Sequence, residues 1–335
     1  MATYKKTSGV NVKSYTTDPD RTYPSSFEGQ LYYNSSDGQF KFIGLGAGAW
    51  ASGGNLNNGR YRMNGGSGTQ SSALVVAGAN PPSNHTESYN GTSWTEDGNY
   101  PASSADVSVC GASSTAALAV TGIYDGPVSD ECFIWNGSSW TETGDYGVPR
   151  GRVTSCGTTT AALAAGGEQA PFSPEPAGYN NETYTFNGTA WTAASNYPIN
   201  ISNGGMGGTS TASIKTGGYN GSPQAVSNTW NGSAWTEVAE LNVPHSETGM
   251  TGNGTTSAFM IFGGGVPGPS HNDKVEEFDG TSWTEVAELS TARGAVGSAG
   301  TTTAAIAAGG SPPGTSYAGT EEWNYTHAFK KITTS

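Results

Sequence analysis

Tyr89-Asn-Gly-Thr-Ser-Trp94, Trp135-Asn-Gly-Ser-Ser-Trp140, Phe186-Asn-Gly-Thr-Ala-Trp191, Trp230-Asn-Gly-Ser-Ala-Trp235 and Phe278-Asp-Gly-Thr-Ser-Trp283 are five spellings of one phrase. Asn-Gly or Asp-Gly between β-forming flanks is the preferred sequence of a tight hairpin, because both residues tolerate a positive φ. Each phrase therefore predicts strand, turn, strand. With Trp50 added, the tryptophans are 44, 46, 51, 44 and 48 residues apart. A period of that length makes the chain a repeat architecture, which overrides any local reading.

Working outward, each Trp is followed about sixteen residues later by a small residue, in the column Gly65, Cys110, Cys156, Gly207, Thr251 and Ala299. Ser/Thr-rich turn material comes next. An aliphatic strand ending in glycine follows: Leu74–Gly78, Leu118–Gly122, Leu163–Gly167, Ile214–Gly218, Met260–Gly264 and Ile306–Gly310. Each unit thus reads as four short antiparallel strands, which is one blade of a β-propeller. Small residues suit strands near a narrow axis, and aromatic residues suit the wedge between blades. The expectation is an all-β, six-bladed propeller over residues 50–330, preceded by a segment, 1–49, with a hairpin at 31–42 around Asp37-Gly38. The last copy, Trp323-Asn-Tyr-Thr-His-Ala-Phe329, lacks the glycine, and Phe329 is expected to replace its Trp. Residues 44–55 look like a Trp strand without partners that closes the ring on the last blade, as terminal units are often irregular. A seventh blade completed by Leu31 to Trp50 stays open as an alternative.

Composition agrees with strands and turns. Gly numbers 50 of 335 residues and only 12% are charged, which disfavours helical bundles, while nine Trp, sixteen Tyr and ten Phe supply buried area that disordered chains lack. No apolar stretch has the length of a signal peptide or a bilayer span, so a protein made in a cytosol, without membrane insertion, is expected. Three cysteines do not make a disulfide framework, and two of them stand in the small-residue column, where buried free thiols are expected. Residues 1–62 carry seven Lys/Arg against four Asp/Glu, whereas 63–335 carry seven against twenty-three. So acidic a repeat region repels nucleic acid and anionic lipid.

The Gly-Gly after an aliphatic strand, the aromatic about twelve residues on and the Trp after a short turn resemble the Kelch repeat, found also in the galactose oxidase propeller. That resemblance implies architecture and says little of activity. A second one concerns Asp18-Pro-Asp-Arg-Thr-Tyr-Pro24, Glu28-Gly-Gln-Leu-Tyr-Tyr-Asn-Ser-Ser-Asp-Gly-Gln-Phe-Lys-Phe42 and Gly46-Ala-Gly-Ala-Trp50. Together with the dialect Trp-Asn-Gly-Ser-Ser-Trp-Thr-Glu, these resemble structural proteins of tailed phages, especially marine cyanobacterial ones, in which such a hairpin precedes Kelch-like repeats. The resemblance implies a virion protein made in the host cytoplasm: a tail fibre, another tail appendage or a capsid decoration. Its residues 1–49 would dock on other virion proteins.

Chemistry-bearing motifs are scarce. Asn90, Asn136, Asn187 and Asn231 formally read as glycosylation acceptors, but Asp279 fills the same place in the fifth copy, so the shared demand is the turn. The four histidines, at 85, 245, 271 and 327, form no metal motif, and nothing reproduces the copper ligands of galactose oxidase. The sequence predicts no enzyme, no cofactor and no metal; a galactose-oxidase-like or other carbohydrate-active propeller is the alternative, and an intracellular Kelch adaptor a third reading. What varies between copies is the connection from the Gly-ended strand to the aromatic strand, at 11, 13, 19, 12, 14 and 13 residues. Those six loops are expected on one face, stiffened by Pro and carrying groups for a host-surface glycan or protein. The candidate ligand-binding residues are Asn84, His85, Tyr124, Asp125, Phe172, Tyr179, Tyr219, Asn220, His271, Asp273 and Tyr317.

Overall fold

In the computed structural model each of the five phrases folds as a strand pair, with the first aromatic and the Trp directly opposite: Tyr89 and Trp94, Trp135 and Trp140, Phe186 and Trp191, Trp230 and Trp235, Phe278 and Trp283. The turn between them has four residues, and only its glycine takes a positive φ, between 89° and 98°. The Asn or Asp, which tolerates a positive φ as well, does not adopt one here. Asn or Asp acts through its side chain: Oδ1 accepts the next two available N–H groups at 2.8–3.0 Å in every copy. An Asx turn needs an oxygen and not an amide, which is why Asp279 serves as well. Replacing Asn136 by Asp should leave the denaturation midpoint in place, while Asn136→Ala should cost about 1 kcal/mol. Equal losses in urea titrations of the two variants would dismiss the side-chain oxygen.

The structure describes residues 4–7, 10–18, 31–79, 83–124, 127–169, 178–267, 271–312 and 316–332. The chain divides into two compact units, residues 1–49 with 324–335, and residues 50–323. No helix among the described residues is long and apolar enough to cross a membrane.

The larger unit is a β-propeller. Blade 1 holds Ser67–Thr69, Ser72–Val76, Thr86–Tyr89 and Trp94–Glu96; blade 2 holds Val107–Ser113, Ala116–Tyr124, Val128–Trp135 and Trp140–Glu142. Blade 3 holds Thr154–Thr158, Ala161–Ala165, Thr183–Phe186 and Trp191–Ala193; blade 4 holds Gly205–Thr209, Ala212–Thr216, Ser227–Trp230 and Trp235–Glu237. Blade 5 holds Gly249–Met250, Phe259–Phe262, Val275–Phe278 and Trp283–Glu285. Blade 6 takes Gly297–Thr301, Ala304–Ala308, the start of Thr320–Lys331 and the end of Gln39–Ser52. Each innermost strand touches the next, and Gly297–Thr301 touches Ser67–Thr69, so the series closes on itself.

Blade 6 corrects one expectation and bears on the open alternative. Trp50, not Phe329, faces Trp323, with ring centroids 5.5 Å apart. Without the turn glycine the chain runs straight on past Trp323, and the strand ending at Ser52 fills the outer place, so it does not begin a further blade. A second correction concerns blade 1. Ser67 opposes Leu74 as Cys110 opposes Leu118, so Ser67 and not Gly65 belongs to the small-residue column. Gly65 lies in an extra strand, Met63–Gly65, paired parallel to Val107–Val109.

The wedge between blades is aromatic. The inner members, Tyr89, Trp135, Phe186, Trp230, Phe278 and Trp323, are all buried. Six residues after each Trp stands a further buried residue, Leu56, Tyr100, Tyr146, Tyr197, Leu241 or Leu289. Tyr100, Tyr146 and Tyr197 each pack against the Trp of the following blade at 5.1–5.2 Å. The indoles Trp94, Trp140 and Trp235 donate to Thr320, Thr86 and Thr183 of the preceding blade at 2.9–3.1 Å. Cys132 holds the place of those threonines beneath Trp191. All three cysteines are free and buried, and burial pushes the Cys110 and Cys132 thiols up to about 12 and raises Cys156 as well. They are inert packing residues.

In the smaller unit, Tyr4–Thr7 pairs antiparallel with Val10–Tyr15, which runs parallel to Leu31–Asn34. Leu31–Asn34 turns back onto Gln39–Ser52 through residues 35–38, with Gly38 at φ 69°. The Asp18 carboxylate ties this hairpin, accepting from Tyr32, Asn34 and Lys41 at 2.6–2.9 Å.

Candidate ligand pocket on the loop face

The segment that enters each blade pairs with the residue just after that blade's aliphatic strand: Tyr61 with Ala79, Ala105 with Ile123, Gly151 with Glu168, Ser202 with Tyr219, Ser246 with Gly265 and Gly294 with Ser311. These bridges bring the variable loops and the entering segments to one end of the propeller. The described ends of the loops share a face.

The entering segments carry a feature that the sequence reading missed. Twelve residues after each Trp stand Arg62, Asp106, Arg152, Asn203, Glu247 and Ala295, and all six have φ between 53° and 58°. Non-glycine residues rarely adopt this left-handed conformation. Neighbours in the series are joined: Asp106 N–H donates to Arg62 O, Asn203 N–H to Arg152 O, Ala295 N–H to Glu247 O and Met63 N–H to Ala295 O. One such residue enters each of the six blades, so the set recurs around the propeller as a ring of equivalent positions, bonded directly in the pairs 62–106, 152–203 and 247–295. Since every blade adopts the conformation, it belongs to the fold, and the differing side chains are what the ring presents. The only signal in the sequence is spacing, because the six residues share no chemistry.

Charge on this rim is interlocked. Asp106 pairs with Arg62, and its Oδ2 lies 3.2 Å from Arg152 Nε. Arg152 also meets Glu168 at 2.8 Å. Glu247 Oε2 lies 3.6 Å from His271 Nε2. Burial pushes the Glu247 carboxyl up, but the hydrogen bond with His271 and the nearby Arg152 and Arg62 charges outweigh it and hold the group below the usual range. Beside the ring opens a cavity of about 530 Å³, lined by Arg152, Asn203, Glu247 and Ser246 from the entering segments and by Tyr219, Gly221–Pro223, Gly265–Pro267 and His271 from the loops of blades 4 and 5. Its size is that of a small-molecule site.

Of the predicted site residues, Tyr219 and His271 line this cavity, and Tyr179 packs edge-on against Tyr219 at 5.9 Å. Asn220 sits in the turn beside Tyr219 and is exposed. Asn84, His85, Asp273 and Tyr317 do not line it. His85 Nδ1 lies 2.8 Å from Glu96 on the outer strand of blade 1, and Asn84 O accepts the Tyr100 N–H. Asp273 O accepts the Leu289 N–H, and Tyr317 lies beneath the buried Arg293 guanidinium, 5.0 Å from ring centre to Cζ. These four residues make contacts within the propeller. Asp125 and Phe172 lie outside the described residues, as does the Tyr124 side chain.

The solved structure of YjhT matches with a TM-score of 0.65 at 12% identity, over 82% of this chain and 99% of that one. What the two share is the fold. In all, 341 solved chains match, and a fold so widely used does not fix an activity. No family model and no curated protein matches the sequence.

Among the described residues no group of three or more His, Cys, Asp or Glu stands where it could hold a metal ion. One buried amine went unnoticed in the sequence. Lys215, in the second strand of blade 4, is wholly buried and donates to Thr154 Oγ1 at 3.0 Å and Asn203 O at 2.9 Å. Burial drives its ammonium down to about 7.

Proposed function

We propose that this protein is a non-enzymatic recognition component of a tailed-phage virion, held on the particle through residues 1–49 and binding a host-surface saccharide at the propeller's loop face. The observation that carries the binding half is the cavity between the blade 4 and blade 5 loops, where Tyr219, His271, Asn203 and Glu247 converge. Flat apolar walls from Tyr219, Pro223 and Pro267, with polar groups between them, suit a sugar ring better than an apolar ligand. The virion half is supported by the resemblance of residues 18–50 and of the repeat dialect to phage structural proteins.

Two measurements test the reading. Mass spectrometry and labelled imaging of purified particles should find the chain there, and its absence from particles sinks the virion assignment. On a saccharide array, the purified protein should bind, and Tyr219→Ala should weaken that binding at least about tenfold, the loss of one central contact. Binding that is indifferent to Tyr219 would place the ligand elsewhere.

A further inference from the structure

Resting on that reading, we infer that Glu247 selects the occupant of the pocket: a sugar offering hydroxyl or ammonium donors, with acidic sugars turned away. The rim holds two guanidinium groups, Arg62 and Arg152, against three carboxylates, Asp106, Glu168 and Glu247. Arg62 and Arg152 both serve Asp106, and Arg152 reaches Glu168 as well. One negative charge is left over on the rim, and Glu247, beside Arg152 and His271, is the carboxylate among the cavity's lining residues.

Glu247 leaves more than a third of its side chain exposed beside His271, and its carboxyl is held below the usual range by His271 and the Arg152 and Arg62 charges. An ionised carboxylate only accepts hydrogen bonds, so a ligand that meets it must bring donors. Hydroxyl and ammonium groups do so, and a second carboxylate does not. His271 at 3.6 Å steadies the Glu247 side chain from the loop side, and Asn203 and Ser246 stand beside it as neutral partners for the remaining hydroxyls. The backbone supports the same assignment. Five other residue pairings with the left-handed ring position occur in this one molecule, Ala295 among them, so the fold does not require a carboxylate at 247. The wider field agrees, because the chain carries a net charge of −13.

The test is titration calorimetry of the intact protein with three oligosaccharides of similar length: a glucosamine oligomer, a neutral glucose oligomer and a galacturonate oligomer, with a lysine-rich peptide as a fourth probe. The glucosamine or glucose oligomer should bind, with galacturonate weaker by about tenfold, the discrimination of one like-charge contact near a surface. Glu247→Gln, checked for an unchanged melting temperature, should narrow that gap to within about threefold. Galacturonate binding as tightly as the others, still lost in Tyr219→Ala, overturns the selectivity and leaves the saccharide-binding reading standing. Capture of the peptide in preference to every sugar overturns the choice of a sugar as the source of the ammonium. Silence from all three oligosaccharides sinks the saccharide-binding reading itself, and this inference with it.

Discussion

Replacing Glu87 by Ala is expected to lower the unfolding free energy by about 3–5 kcal/mol, the usual result of orphaning a buried charge. Glu87 and Arg60 form an ion pair with both side chains at or below 2% exposure. The other Glu87 oxygen accepts from Asn57 N–H and Asn57 Nδ2, both at 2.8 Å. Truncation would strand a guanidinium inside the protein and take away the acceptor of two Asn57 donors. The same arrangement recurs ten residues after other tryptophans, where Arg293 meets Glu321 at 3.0 Å and His245 meets Glu276 at 3.5 Å. Urea unfolding followed by tryptophan fluorescence measures the loss. As a contrast, Glu285→Ala at the solvent-exposed Lys274 pair should shift the midpoint by nothing measurable. Similar midpoints for the two variants would show that burial does not govern these pairs.

Lys215→Met should stabilise the protein at neutral pH and flatten its stability profile. Burial brings the ammonium in the fold down to about 7, from an ordinary value of about 10.5. Between these limits the unfolded chain takes up a proton that the folded one refuses, so stability falls as pH drops from 10.5 toward 7 and levels off below. At ~1.4 kcal/mol for each pH unit, the span amounts to several kcal/mol. Met keeps the volume of the stem but loses the hydrogen bonds to Thr154 and Asn203, so near pH 10 the variant should be no more stable than its parent. Melting temperatures across pH 6–10 decide the matter. A parent profile as flat as the variant's would mean that Lys215 keeps its proton in the fold.

The architecture was legible because its signals repeat. The hairpin phrase, the aliphatic strands and the small-residue column each recur with one spacing, and repetition turns six weak local preferences into one strong statement. The slips came where a copy departs from its siblings. Gly65 was placed in the column by spacing, but the Gly65-Gly66 step adds a residue before Ser67 reaches Leu74. The strand within residues 44–55, legible as one that closes the ring on the last blade, does so and brings Trp50 to Trp323, so Phe329 is not needed in that role.

The candidate site was only half legible. Loop variation pointed to the end of the propeller where the cavity opens, and Tyr219 and His271 both line that cavity. His85 and Tyr317 looked the same in sequence, yet Glu96 and Arg293 engage them in binding the fold together. Glu247 and its ring could not be read from residue type. What unites Arg62, Asp106, Arg152, Asn203, Glu247 and Ala295 is a backbone conformation, which leaves only a position in the period as its trace.

Supplying the outer strand of blade 6 from the opposite end of the repeat array also governs how the molecule is assembled. The entropy of joining distant segments must be met before Trp50 and Trp323 make contact, which places the slow step of folding at the seam. Until then a sheet edge waits unfilled, and a strand from a neighbouring chain fits it as well as the molecule's own. Refolding at high concentration should thus give swapped dimers and longer chains of protomers, each lending its first strand to the next.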